Sequence, residues 1–78
     1  MLKLKIVSPE RVEFIGTVEH VKVPGMRGEF EILTDHAPII SSLQKGTVEY
    51  DGQRLDVLGG FVAVQKNEVS ICVEMDED

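Results

Sequence analysis

A chain of 78 residues has room for one domain, and its 42% apolar and 28% charged side chains exclude a disordered tail. The net charge of −6, with no basic stripe, argues against nucleic acid or anionic lipid as a direct partner. The longest apolar run is four residues, 61–64, which excludes a spanning helix.

In chain order, Leu2, Leu4 and Ile6 alternate with Lys3 and Lys5, the period of two that a half-buried strand requires. Residues 1–7 therefore lack the continuous apolar stretch of a signal peptide. Ser8, Pro9, Glu10 and Arg11 break the run, because Pro9 has a fixed φ and no N–H for a ladder. Val12 and Phe14 flank Glu13 in a second strand, which Gly16 is expected to stop. The odd step between Val18 and Val21, ahead of Val23, predicts a β-bulge or a join between two strands. PGMRG, residues 24–28, is a turn signal, and Phe30 and Ile32 alternate with Glu29 and Glu31 in a short strand.

Residues 34–38 read as a loop. Val48 and Tyr50 meet Leu55 and Val57 across Asp51 and Gly52, the most specific hairpin signal in the chain. Gly59 and Gly60 punctuate, residues 61–64 run to a tight turn at Lys66 and Asn67, and Val69, Ile71 and Val73 alternate with Ser70, Cys72 and Glu74. No long stretch has helical spacing. Short strands with frequent turn signals predict an all-β antiparallel sandwich or barrel. The expected division is a domain over residues 1–74 and an acidic tail over 75–78; Glu74, Asp76, Glu77 and Asp78 carry four of the fourteen acidic groups.

Chemistry-bearing residues are sparse. The single thiol, Cys72, cannot close an internal disulfide, which fits a reducing compartment. His20, His36 and Cys72 lack the close spacing of zinc ligands, so no metal is expected. Ser41 and Ser42 follow Asp35 and His36 without a nucleophile-elbow pattern, so no catalytic residue is assigned. Glu29 and Glu31 share one face of a strand, where solvated carboxylates are the simpler reading. PGMRG has no following Lys-Ser/Thr, and Lys45, Gly46 and Thr47 stand in the wrong order for a P-loop, so neither nucleotide nor other cofactor is expected. A binding or structural module remains.

VKVPGMRGEFEILTDHAPIISSL, residues 21–43, resembles the epsilon subunit of F-type ATP synthases. The pattern V-x-x-x-G-x-x-G-[DE]-[FL]-x-[IV]-L-x-x-H-[AT]-P is met by Gly25, Gly28, Glu29, Phe30, Ile32, Leu33, His36, Ala37 and Pro38. The opening LKIVSPERVEF and the later GGFVAVQKNEVSICVE, with Gly59, Gly60, Phe61 and Val64, also resemble the family. The resemblance implies a flattened antiparallel β-sandwich of two roughly five-stranded sheets at the foot of a rotary stalk. It also implies a peripheral, cytoplasmic-side position at the inner membrane, and a non-catalytic role coupling proton or sodium flow to ATP synthesis. Full-length bacterial relatives continue into a two-helix domain that inhibits hydrolysis and in some members helps bind ATP. No such helical sequence follows here, so neither property is expected of this chain.

The resemblance implies two partners. The c-subunit ring would meet Gly25, Arg27, Gly28, Glu29, His36, Ala37 and Pro38, gathered at one end of the sandwich. The gamma subunit would meet Ile39, Ile40, Ser41, Ser42 and Leu43. Adjacent Ile39 and Ile40 cannot both point into the core of a regular strand, so one is expected to face outward. Two other classes compete. A lipoyl- or biotinyl-carrier domain would display a lysine at a hairpin tip, and Lys66 stands at one with atypical neighbours. A stand-alone sugar- or peptide-binding sandwich would display a row built from Phe14, Phe30, Tyr50 and Phe61.

Overall fold

Period-two alternation becomes nine strands in the computed structural model, which describes residues 1–76. They are β1 (Leu2–Val7), β2 (Val12–Val18), β3 (His20–Gly25), β4 (Gly28–Leu33), β5 (Ile39–Leu43), β6 (Gly46–Tyr50), β7 (Gln53–Val57), β8 (Gly59–Gln65) and β9 (Glu68–Glu74). Glu77 and Asp78 of the expected acidic tail lie outside the described residues.

The strands form two layers. One runs β2-β1-β9-β8-β5 and the other β4-β3-β6-β7. They are continuous at one corner, where Gly25 of β3 pairs with Leu43 of β5. All pairings are antiparallel except β1 with β9. The all-β sandwich predicted from the sequence is therefore present, with layers of five and four strands.

Alternation decides what lies between the layers. Leu2, Leu4 and Ile6 of β1 and Val69, Ile71 and Val73 of β9 turn inward, as do Val62 and Val64 of β8. Val21, Val23, Ile32, Val48 and Val57 meet them from the other layer. Phe14 of β2 and Tyr50 of β6 close the gap, with ring centroids 4.6 Å apart and tilted by 47°. Burial, and secondarily the charge on Glu13, pushes the Tyr50 phenol above its ordinary pKa.

Two local readings, at Gly16 and at Gly59 and Gly60, differ from the structure, and two stretches left open, after Val18 and at residues 39–43, are resolved by it. Gly16 does not stop β2: it pairs with Leu4, and the Phe14 ring lies over it, 3.0 Å from where a Cβ would stand. The odd step after Val18 is a join, with Glu19 alone between β2 and β3. Gly59 and Gly60 are the first two residues of β8. Residues 39–43, which show no clear alternation, form β5 paired with β8.

The turn after β1 is locked by its own side chains. The Ser8 hydroxyl donates to Glu13 Oε2 at 2.9 Å and Arg11 Nε donates to the same oxygen at 3.1 Å. The Ser8 bond first, then Arg11, holds the Glu13 carboxyl below its ordinary pKa. A lowered folded pKa gives stability that is present above the unfolded value and is lost as pH falls through the folded one. Thermal melts between about pH 6 and about pH 3 should therefore show a shallower acid loss in Glu13→Gln than in the wild type. Identical slopes would mean that this turn adds nothing to acid sensitivity.

Candidate functional site

The two outer faces of the sandwich differ in chemistry. On the β4-β3-β6-β7 layer, one row of cross-strand partners reads Glu31, Lys22, Glu49, Arg54. The charges alternate in sign from strand to strand, so the face satisfies itself in water. At its edge, His20 Nδ1 lies 3.3 Å from Glu31 Oε2, without hydrogen-bond alignment, and Nε2 lies 3.7 Å from Asp51 Oδ1. The Asp51 carboxylate accepts the Glu19 N–H at 3.1 Å and the His20 N–H at 3.4 Å, tying the β6–β7 turn to the β2–β3 join.

The other outer face is apolar at both margins. Ile40 of β5 is 83% exposed and stands opposite Ala63; Ser42 stands opposite Phe61, which is 48% exposed. Phe61 leads on to Cys72 and then Val7, and Ala63 leads to Ser70, Lys5 and finally Ile15, itself 70% exposed. Isolated exposed apolar residues need no explanation, and Ile15 stands apart behind Ser70 and Lys5, but Ile40, Ala63 and Phe61 adjoin on neighbouring strands and form the patch that marks an interaction surface. Sequence reasoning placed none of Phe61, Ala63 and Ile15 at the gamma contact. The available signal was the run FVAV, since four apolar residues in a strand must place some on each face.

The residues expected to meet gamma divide by alternation. Ile40 and Ser42 face outward, whereas Ile39 and Ser41 are half-buried. Leu43 is a correction: it is 4% exposed and its side chain belongs to the core, so it offers none to a partner.

The residues expected to meet the c-ring also divide, and this corrects their gathering at one end. In the β3–β4 register, Gly25 faces Gly28 at one end and His20 faces Leu33 at the other. The Met26 and Arg27 turn and the loop at 34–38 therefore flank β4, about 17 Å apart for a six-residue strand. Arg27, Gly28, Glu29, Ala37 and Pro38 are exposed and His36 is half-buried. Gly25 is itself buried, so it shapes the turn without presenting a surface. Among the described pairings, β4 bonds only to β3, which leaves its other edge open with Glu29, Glu31 and Leu33 exposed.

The 34–38 loop is held by neighbours that the sequence did not reveal. Asp35 takes a φ of 66°, and its N–H donates to Asn67 Oδ1 at 2.6 Å while Asn67 Nδ2 donates back to Asp35 Oδ1 at 3.2 Å. His36 caps the loop: its N–H donates to the Leu33 carbonyl at 3.1 Å, and its Nδ1 lies 2.7 Å from the Ala37 carbonyl oxygen. With the proton on Nδ1 that contact is a hydrogen bond, which leaves Nε2 as the ring's acceptor.

Among the described residues no group of three or more His, Cys, Asp or Glu converges to hold a metal. Among the described residues no helix is long and apolar enough to cross a membrane. Tyr50 is buried and Phe14 and Phe30 pack on the core, so Phe61 is the one exposed aromatic among the described residues and no aromatic row exists.

Comparison with known proteins follows the same lines. Residues 1–77 match the family described as ATP synthase, Delta/Epsilon chain, beta-sandwich domain. The ATP synthase epsilon chain of Leptospira interrogans serovar copenhageni is 40% identical, a match covering 94% of this chain and 61% of that one. The ATP synthase epsilon chain of Parvibaculum lavamentivorans is 37% identical, covering 94% and 59%. This chain thus spans about three fifths of the length of these relatives. In fold it is similar to a chain of the Tetrahymena thermophila mitochondrial ATP synthase central stalk and c-ring structure. The TM-score there is 0.80 at 18% identity, covering 96% of this chain and 63% of that one. A chain of the Euglena gracilis mitochondrial ATP synthase gives a TM-score of 0.82 at 20% identity, covering 92% and 49%.

Proposed function

We propose, from the premise that this chain belongs to the ATP synthase delta/epsilon chain β-sandwich family, that it serves as the epsilon-type rotor subunit of an F-type ATP synthase. Its work is mechanical. It joins the gamma shaft to the c-subunit ring and so couples proton or sodium movement to ATP synthesis, without chemistry or bound nucleotide of its own. It sits peripherally at the inner membrane, on the cytoplasmic side. Residues 1–74 form the working domain and 75–78 an acidic tail.

The observation that carries this reading is the asymmetry of the outer faces. A charge-alternating face belongs in water, and an apolar one belongs against a partner. Gamma is assigned to the β5–β8 side, through Ile40, Ser42, Phe61 and Ala63, with Ile39 and Ser41 beneath. The ring is assigned to the long edge of β4. Only a partner lying along that strand reaches both Arg27, Gly28 and Glu29 at one end and His36, Ala37 and Pro38 at the other. Glu29 would pair with a basic residue of a c-subunit loop; such a rim pair contributes about 0–1 kcal/mol and acts mainly on register.

Ile40→Asp tests the gamma side. Because Ile40 is 83% exposed, the isolated domain should keep its stability within about 0.5 kcal/mol. Binding to gamma in a pull-down should weaken by about tenfold or more, as expected when a charge is buried at an apolar contact. Wild-type retention of Ile40→Asp would remove β5 from the interface.

A further inference from the structure

We infer that the hollow where the two layers meet is an anchor pocket taking one acidic-tipped side chain from the partner that lies on β5. This rests on the proposed position of gamma. The hollow has a volume of about 330 Å³ and is lined by the turn residues Gly25, Met26, Arg27 and Gly28, by Phe30, and by Ser41 and Ser42 of β5.

It exists because glycine stands at two of its positions. A Cβ on Gly25 would lie 2.8 Å from both Phe30 Cε1 and the Gly28 carbonyl oxygen. Gly28 has a φ of +125°, a conformation that side chains other than hydrogen rarely allow. The floor is the half-buried Phe30 ring, packed on the core. The pocket is also fixed in place. Gly25 pairs with Gly28 and with Leu43, Gln44 Nε2 donates to the Gly25 carbonyl at 2.9 Å, and the Gln44 N–H donates to the Pro24 carbonyl at 2.9 Å. A hollow held by backbone bonds on three strands is ready before a partner arrives, which lowers the ordering cost of binding.

Its chemistry selects the occupant. Met26, 61% exposed, and Phe30 offer apolar contact for a side-chain stem. Arg27 makes no ion pair within 4.0 Å among the described residues and is the one charged side chain of the lining. A basic tip would meet like charge there. A wholly apolar one would make no use of the Arg27 guanidinium, which is exposed at the rim. A carboxylate gains a charge-assisted bond to the guanidinium, with the exposed Ser42 as a further donor at the rim. The lining draws on residues expected at the ring (Gly25, Arg27, Gly28) and at the shaft (Ser41, Ser42). One inserted side chain therefore fixes the shaft contact against the turn that begins the ring-facing edge.

The test compares binding of purified gamma to four variants of this chain: Arg27→Glu, Ser42→Phe, Ile40→Asp and Arg54→Glu. Arg54 lies on the opposite, charge-alternating face and serves as the charge control. Arg27→Glu should weaken binding by about tenfold or more through charge reversal, and Ser42→Phe should do so by filling the hollow. Arg54→Glu should bind as wild type. The inference is overturned if Arg27→Glu and Ser42→Phe bind as wild type while Ile40→Asp has lost binding: gamma then covers β5 without entering the hollow. Equal losses in Arg27→Glu and Arg54→Glu overturn it as a general charge effect. A wild-type chain that ignores gamma removes the placement and the pocket together.

Discussion

Gly60→Ala is expected to leave the domain unfolded or nearly so at 25 °C. Gly60 has a φ of +143°, close to the extended mirror region that only glycine populates freely, and strain of that kind costs about 1–3 kcal/mol. Sterics add to it, because a Cβ there would overlap the Cys72 carbonyl oxygen and stand 3.0 Å from the Val73 Cα. Both obstacles are backbone atoms of β9, so neither can rotate away. Gly60 also pairs with Leu43 on one side and Val73 on the other, in the interior of the five-stranded layer. A domain this small rests on roughly 3–5 kcal/mol, which strain and overlap together consume. Gly59→Ala is the control: its Cβ would meet only the Leu43 carbonyl oxygen at 3.4 Å, an ordinary contact. Urea denaturation of both variants checks the pair. A Gly60→Ala domain as stable as Gly59→Ala would show that β8 and β9 do not approach as described.

Ile71→Ala should destabilise the domain by about 2–5 kcal/mol, whereas Ile15→Ala should change stability by less than about 0.5 kcal/mol. The residue types are the same and the surroundings opposite. Ile71 is fully buried in a row with Ile6 and Val62, while Ile15 is 70% exposed on the outer face of the same layer. Truncating Ile71 leaves a cavity that flanking strands, fixed by ladder bonds, can only partly close. Truncating Ile15 exposes a little more sheet to water. Midpoints of urea unfolding at an unchanged m-value measure both losses. A large loss at Ile15 would mean that the outer face is packed within the domain and is not free for a partner.

The strands with clean alternation were legible because one face of each is wet. Leu2, Leu4 and Ile6, or Val69, Ile71 and Val73, announce their inward side residue by residue. The Asp51 and Gly52 turn and the Lys66 and Asn67 turn were legible for a local reason: all four take positive φ, as tight hairpins require, and Asp51, Gly52 and Asn67 are residue types that tolerate it. β5 was hidden because its outward Ile40 and half-buried Ser41 invert the usual pattern, and the inversion is confined to the β5–β8 margin of that outer face. Gly16 and Gly60 read as stops because sequence alone does not show a ring lying over one and a neighbouring backbone pressed on the other. The parallel pairing of β1 with β9 joins the two ends of the described chain and leaves no local trace. At the candidate site, Ile40 was reachable from the Ile39 and Ile40 doublet. That the two ring-facing loops flank β4 depends on a register only the fold supplies.

The account depends on a stiff sandwich that is held from outside on its apolar face. Co-expression with the gamma subunit of an ATP synthase, followed by size-exclusion chromatography of the purified mixture, tests this most directly. The account predicts a single peak containing both chains in equal amounts, persisting on dilution to about micromolar concentration, the range in which a specific interface of ordinary size holds. Separate elution of two well-folded proteins would contradict it.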